Sequence, residues 1–147
     1  LGDAAARDIL VEHNRIVRSH VERCGGHEVK FQGDGFMVAF AGAGKALGCA
    51  VDLQRALDDW SSSGASEPLR VRIGLHTGEV VREDQDFLGR TVNVASRIAD
   101  QAKGGEILVS SLLKELATGS GFTFDEPKET VLKGLAGTFA LYPVVWR

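Results

Sequence analysis

Long apolar runs, an excess of positive charge and clustered cysteines are all missing from this sequence. No apolar stretch approaches the roughly 20 residues needed to span a bilayer, and no leader-like segment is read. The formal net charge is −3, which argues against nucleic acid or an anionic membrane as the main partner. The two cysteines, Cys24 and Cys49, have neither metal-ligand spacing nor the density of a disulfide scaffold. They are predicted to be reduced thiols of a cytosolic protein. Internal repeats and low-complexity tracts are absent too. The chain opens at Leu1 rather than Met and enters a helix almost at once, so further sequence is expected upstream. What is present is the balance of a soluble globular domain, with 147 residues, 44% hydrophobic and 25% charged. One domain over 1–147 with one core is expected.

The first predicted helix covers Asp3 to Arg23. Ile9, Leu10, His13, Ile16, Val17, His20 and Val21 recur at helical spacing. Cys24-Gly25-Gly26 ends it with a left-handed glycine cap. His13 and His20 are seven apart, which is not a usual metal pair, and both are expected to pack. A hairpin follows from Glu28 to Phe40. A second helix is predicted over Lys45 to Trp60, with Ala46, Leu47, Ala50, Val51, Leu53, Gln54 and Leu57 inward. Ser61 to Pro68 reads as a surface loop.

Leu69, Val71, Ile73 and Leu75 alternate with polar residues and glycine, the mark of a half-buried strand. His76-Thr77-Gly78 then turns the chain into a paired strand, Glu79 to Arg82. Glu83 to Asp86 reads as an acidic loop. A third helix is predicted over Thr91 to Ala102, ended by Gly104-Gly105. Asn93 and Arg97, four apart, share one face of it. Glu106 to Val109 is a short buried strand, and Ser110 and Ser111 can cap a helix over Leu112 to Ala117. The remainder is β-rich, at 122–124, 129–132 and 138–146 around a turn at 133–137. With one further N-terminal strand this order becomes βαββαβ plus extensions. The fold class is therefore α+β, a ferredoxin-like sandwich with helices on one face of a mainly antiparallel sheet.

The hairpin carries the clearest chemistry. Gly33-Asp34-Gly35 is a tight turn whose glycines accept positive φ. It holds one carboxylate, Asp34, between two apolar strands. Such a carboxylate either bonds its own backbone, as Asp-Gly turns do, or ligates a hard cation such as Mg²⁺.

Three segments, taken together, carry a resemblance. Lys30-Phe31-Gln32-Gly33-Asp34-Gly35-Phe36-Met37, the run from Val71 to Val80, and the run from Asp86 to Arg97 resemble those of class III nucleotidyl cyclases. The match is in order and covers nearly the whole chain. The style resembles bacterial catalytic domains that work as homodimers. The resemblance implies that Asp34 is the second of two metal-binding aspartates, the first lying on a strand upstream of Leu1. It implies two divalent cations, Mg²⁺ or Mn²⁺. Lys30 and Asp86 match the purine-selecting pair. Adenine offers an acceptor at N1 and a donor at N6, which suits an ammonium and a carboxylate. Guanine reverses that pattern, and guanylyl cyclases typically carry Glu where Lys30 stands, so ATP is the expected substrate. Asn93 matches the residue that orients the ribose, and Arg97 the one that stabilises charge on the α-phosphate. Lys133, before Gly134, resembles a lysine that holds the terminal phosphates. Glu79 departs from relatives that carry Arg there to bind phosphate.

Each of these residues also has a plainer role open to it. Lys30 suits a solvent-facing strand position, Asn93 a helix surface, Arg97 a pair with a helix acid, and Lys133 an ordinary turn. The implied activity is that of an adenylyl cyclase making 3′,5′-cyclic AMP and pyrophosphate. Its sites would be shared between two copies of the chain, with metal ligands from one and Lys30, Asp86, Asn93 and Arg97 from the other. A catalytically inactive cyclase-like module that binds nucleotide or dimerises is the alternative. Lys30 and Asp86 argue against a guanylyl cyclase, and the Gly-Gly-Asp/Glu-Glu-Phe signature of diguanylate cyclases is absent. The partners implied are ATP and a second copy of the chain, with no nucleic acid and no direct membrane contact. The expected location is cytosolic, alone or as part of a larger protein.

Overall fold

The computed structural model describes residues 3–32, 35–62, 70–77, 81–83, 86–88 and 90–147. Helix α1 spans Asp3–Arg23 and buries His13, Val17 and Val21 at helical spacing. Its end is the predicted glycine cap. The Gly26 N–H donates to the Val21 carbonyl at 2.9 Å and the Gly25 N–H to the Glu22 carbonyl at 3.1 Å. Gly25 has φ 76°, a paired-bond Schellman ending that a side chain at that position would strain. His13 packs as expected, and His20 donates Nδ1–H to the Ile16 carbonyl at 3.0 Å.

Strands β1 (His27–Gln32) and β2 (Gly35–Ala39) form an antiparallel hairpin. The register runs from His27↔Ala39 to Gln32↔Gly35 and shifts between Glu28 and Lys30, a bulge the alternation did not announce. Gly33 and Asp34 lie outside the described residues. Helix α2 (Ala43–Ser62) buries every residue predicted for its inner face. Gln54, the polar one, is satisfied by donating Nε2–H to the Val71 carbonyl at 3.0 Å.

The central sheet is built from β3 (Ile73–Leu75), β6 (Ile107–Ser110), β9 (Phe139–Val145) and β7 (Thr123–Phe124), in the order β3-β6-β9-β7. β8 (Lys128–Thr130) also pairs with β9. Strands β3 and β6 are parallel, and the other pairings are antiparallel. β3 is shorter than predicted, because residues 70–72 hold no strand and Leu69 lies outside the described residues. β4 (Val81–Glu83) pairs with β5 (Asp86–Leu88); residues 78–80, which hold the end of the expected turn and the start of the strand expected to pair with β3, lie outside the described residues. The acidic run read as a loop is thus partly strand: Glu83 closes β4 opposite Asp86, which opens β5. A polar run masked a pairing that cross-strand hydrogen bonds, not burial, define.

Helices cover both faces of the central sheet, not one. Ile107 and Val109 of β6 pack with Leu47, Val51 and Leu113 from α2 and from α4 (Ser111–Leu116). Leu108, between them, packs with Val94 and Ile98 of α3 (Arg90–Gln101). Successive strand residues point to opposite faces, so α3 lies across the sheet from α2 and α4. The run Ile107-Leu108-Val109 is fully buried, as expected of a strand covered on both sides. The β1–β2 hairpin rests on the remaining cluster. Phe36 and Val38 of β2, together with Ile73 of β3, pack on Val17, Val21, Leu53 and Leu57 of α1 and α2.

Ser110 joins two of these parts. Its Oγ accepts the Leu113 N–H at 3.2 Å, capping α4, and lies 2.7 Å from Nδ1 of His76, just beyond β3. Ser110→Ala should cost about 1–2 kcal/mol through the lost cap and the lost His76 bond. A urea unfolding series would read this as a lower midpoint with an unchanged slope, and Ser110→Thr should recover most of it.

Candidate active site

Helix α3 carries the two residues nearest to a catalytic description. Val94, Ile98 and Ala102 bury its inner stripe. Asn93 is exposed and Arg97 half-buried, one helical turn apart. The Arg97 Nη1 donates to Oδ2 of Asp100 at 3.4 Å, the helix-acid pairing that the sequence left open. Arg97 is 34% exposed and Asp100 61%, so this pair contributes little. The informative atom is Arg97 Nε, which is buried with no hydrogen-bond partner among the described residues. An unpaired buried donor is costly in a folded chain. Here it leaves part of a fixed fork of donors, always charged, for something else to satisfy.

Gly74 is why α3 can sit where it does. A Cβ on Gly74 would meet Ala99 N at 2.3 Å, Ala95 O at 2.8 Å and Ala99 Cα at 2.8 Å. These are backbone atoms of α3, between and beyond the turns that bear Asn93 and Arg97. The helix therefore lies directly against the strand backbone. The sequence showed only a glycine inside an alternating strand, which is a sign of close backbone approach.

The other predicted residues are placed with different completeness. Lys30 stands on β1 opposite Met37, just past the bulge. Asp86 opens β5 opposite Glu83, on the short strand that leads into α3. The hairpin bearing Lys30 packs on the other helical layer, against α1. Lys133 is exposed in the turn before Gly134, whose φ is 78°. Asp34 and Glu79 lie outside the described residues. Among the described residues no group of three or more His, Cys, Asp or Glu is placed to hold a metal ion.

Comparison with known proteins agrees with this layout. Residues 3–145 match the family described as the adenylate and guanylate cyclase catalytic domain. An uncharacterized protein of Mycobacterium tuberculosis is 41% identical over 90 residues, covering 61% of this chain and 29% of that protein. The adenylate cyclase of Mycosarcoma maydis is 37% identical over 139 residues, covering 78% of this chain and 6% of that protein. The chain thus spans less than a third of the length of either relative. Among solved structures, the adenylyl cyclase CyaB from P. aeruginosa matches with a TM-score of 0.81 at 26% identity, over 99% of this chain and 84% of that one. The guanylyl cyclase Cya2 matches with a TM-score of 0.86 at 25% identity, over 98% of this chain and 82% of that one. With that family model spanning residues 3–145, this chain belongs to the adenylate and guanylate cyclase catalytic-domain family.

Proposed function

We propose that this domain is an adenylyl cyclase that converts ATP to 3′,5′-cyclic AMP and pyrophosphate at a site shared by two copies of the chain. The observation that carries the proposal is the placement of Asn93 and the partly exposed Arg97 one turn apart on α3, the Arg97 Nε having no hydrogen-bond partner among the described residues. In this reading the Arg97 guanidinium takes up the negative charge that builds on the α-phosphate, and Asn93 orients the ribose. Lys30 donates to adenine N1 and Asp86 accepts from the N6 amino group. Lys133 holds the terminal phosphates. Asp34 and an aspartate on an upstream strand would hold two divalent cations, Mg²⁺ or Mn²⁺, which when bound supply a more acidic 3′-hydroxyl and a neutralised triphosphate.

The reaction is an in-line displacement. The 3′-oxygen forms a bond to the α-phosphorus, the bond from that phosphorus to the bridging oxygen breaks, and the 3′-hydroxyl proton leaves to solvent. The chain's residues contribute position and electrostatics, not covalent chemistry. Two copies are needed because, in this reading, Lys30 and Asp34 serve opposite sites of a two-fold dimer.

The test is the turnover of ATP and GTP by the full-length protein with Mn²⁺. Cyclic AMP should form about 10²-fold faster than cyclic GMP, since guanine leaves both Lys30 and Asp86 mispaired. Equal rates, or a preference for GTP, would refute the adenine assignment.

A further inference from the structure

We infer that Cys24 and Cys49 form a redox-modification site, in which a reachable thiol and a buried one are joined into an intramolecular disulfide by a low-molecular-weight disulfide. This inference is independent of the cyclase reading. Both cysteines are free thiols, Cys24 half-buried and Cys49 buried. They come from different helical elements, Cys24 from the capped end of α1 and Cys49 from α2. One carbonyl gathers them: His20 O accepts the Cys24 backbone N–H at 3.0 Å and the Cys49 thiol at 3.7 Å. The Cys24 thiol is also one of the neighbours that push the Cys49 thiol up. The glycine cap just after Cys24 holds its backbone in place by two further bonds, so this approach is built into the end of the helix.

The order of reaction follows from access and acidity. Burial first, then the Cys24 thiol, then the Asp52 carboxylate push the Cys49 thiol up to about 12. Cys49 therefore keeps its proton and is shielded, and Cys24 reacts first. The Cys24 thiolate attacks one sulfur of the external disulfide, which splits and releases one thiol. Cys49 then loses its proton and attacks Cys24 Sγ, releasing the second thiol. Two protein thiols are oxidised and one external disulfide is reduced.

The test treats the full-length protein with glutathione disulfide and maps its thiols by peptide mass spectrometry. The expected result is Cys24 linked to Cys49 within one chain, reversed by dithiothreitol, with a raised thermal midpoint because the link restricts the unfolded chain. Cys49→Ala should instead hold a stable glutathione adduct on Cys24, and Cys24→Ala should leave Cys49 unmodified. The proposal is overturned if the natural protein keeps a glutathione adduct on Cys24 beside a free Cys49, links the two only between chains, or shows no reaction at either thiol. The readings on the natural protein decide the matter even where a variant folds poorly.

Discussion

Arg97→Ala should lower kcat for cyclic AMP formation by about 10²–10³-fold and leave the KM for ATP within a few-fold. That is the usual effect of removing one preorganised donor aimed at charge that develops in the transition state. The structure separates this from a folding defect. Among the described residues Arg97 pairs only with an exposed Asp100 at 3.4 Å, so that ion pair is worth about 0–1 kcal/mol. Losing the buried unpaired Nε removes an unfavourable contact. The melting point should therefore hold while activity falls. Arg97→Lys should restore little, because an ammonium has one point of charge where the guanidinium has a planar fork. Steady-state kinetics beside a thermal melt would check both. Activity within twofold of the natural protein would remove Arg97 from the reaction.

Gly74→Ala should lower activity by about 10²-fold even though residue 74 touches no substrate in this account. The added methyl meets α3 backbone at 2.3 Å, a distance that no rotamer change relieves. Either the helix or the strand must shift. A displacement of about 1 Å in a group that positions the reaction is enough for a loss of that size. Overpacking should also destabilise the fold by about 1–3 kcal/mol. Gly48→Ala is the control, since a Cβ there meets only Phe122 Cζ at an ordinary 3.9 Å. It should leave activity nearly unchanged and raise stability by about 0.5–1 kcal/mol, as alanine does for glycine inside a helix. If Gly74→Ala kept full activity, α3 would not need to lie as close to β3 as the structure has it.

Where local rules decide an element, the sequence was readable. The Cys24-Gly25-Gly26 cap, the inner face of α2 and the Ser110 cap of α4 all depend on neighbours a few residues away. Where tertiary pairing decides, it was not. The pairing of β4 with β5 was hidden inside an acidic run. The position of α3 across the sheet was written in Gly74 and in the unbroken Ile107-Leu108-Val109, but each clue is ambiguous until the two are set together. The meeting of Cys24 and Cys49 depends on how α1 packs on α2, which no spacing reveals. The candidate site divides in the same way. Asn93 and Arg97 follow from helical spacing. Lys30 sits on a different layer, on the hairpin that packs against α1, so the described structure does not bring it beside Asn93 and Arg97, with which it was expected to share a site.

The most direct measurement mixes two damaged proteins. Full-length Lys30→Ala and full-length Asp34→Ala should each lose most of their cyclic AMP formation. Mixed in equal amounts, they should recover about a quarter of the natural rate, from one intact site in the half of the dimers that pair unlike chains. No recovery, with mixed dimers demonstrated in the same sample, would contradict a site built from two copies.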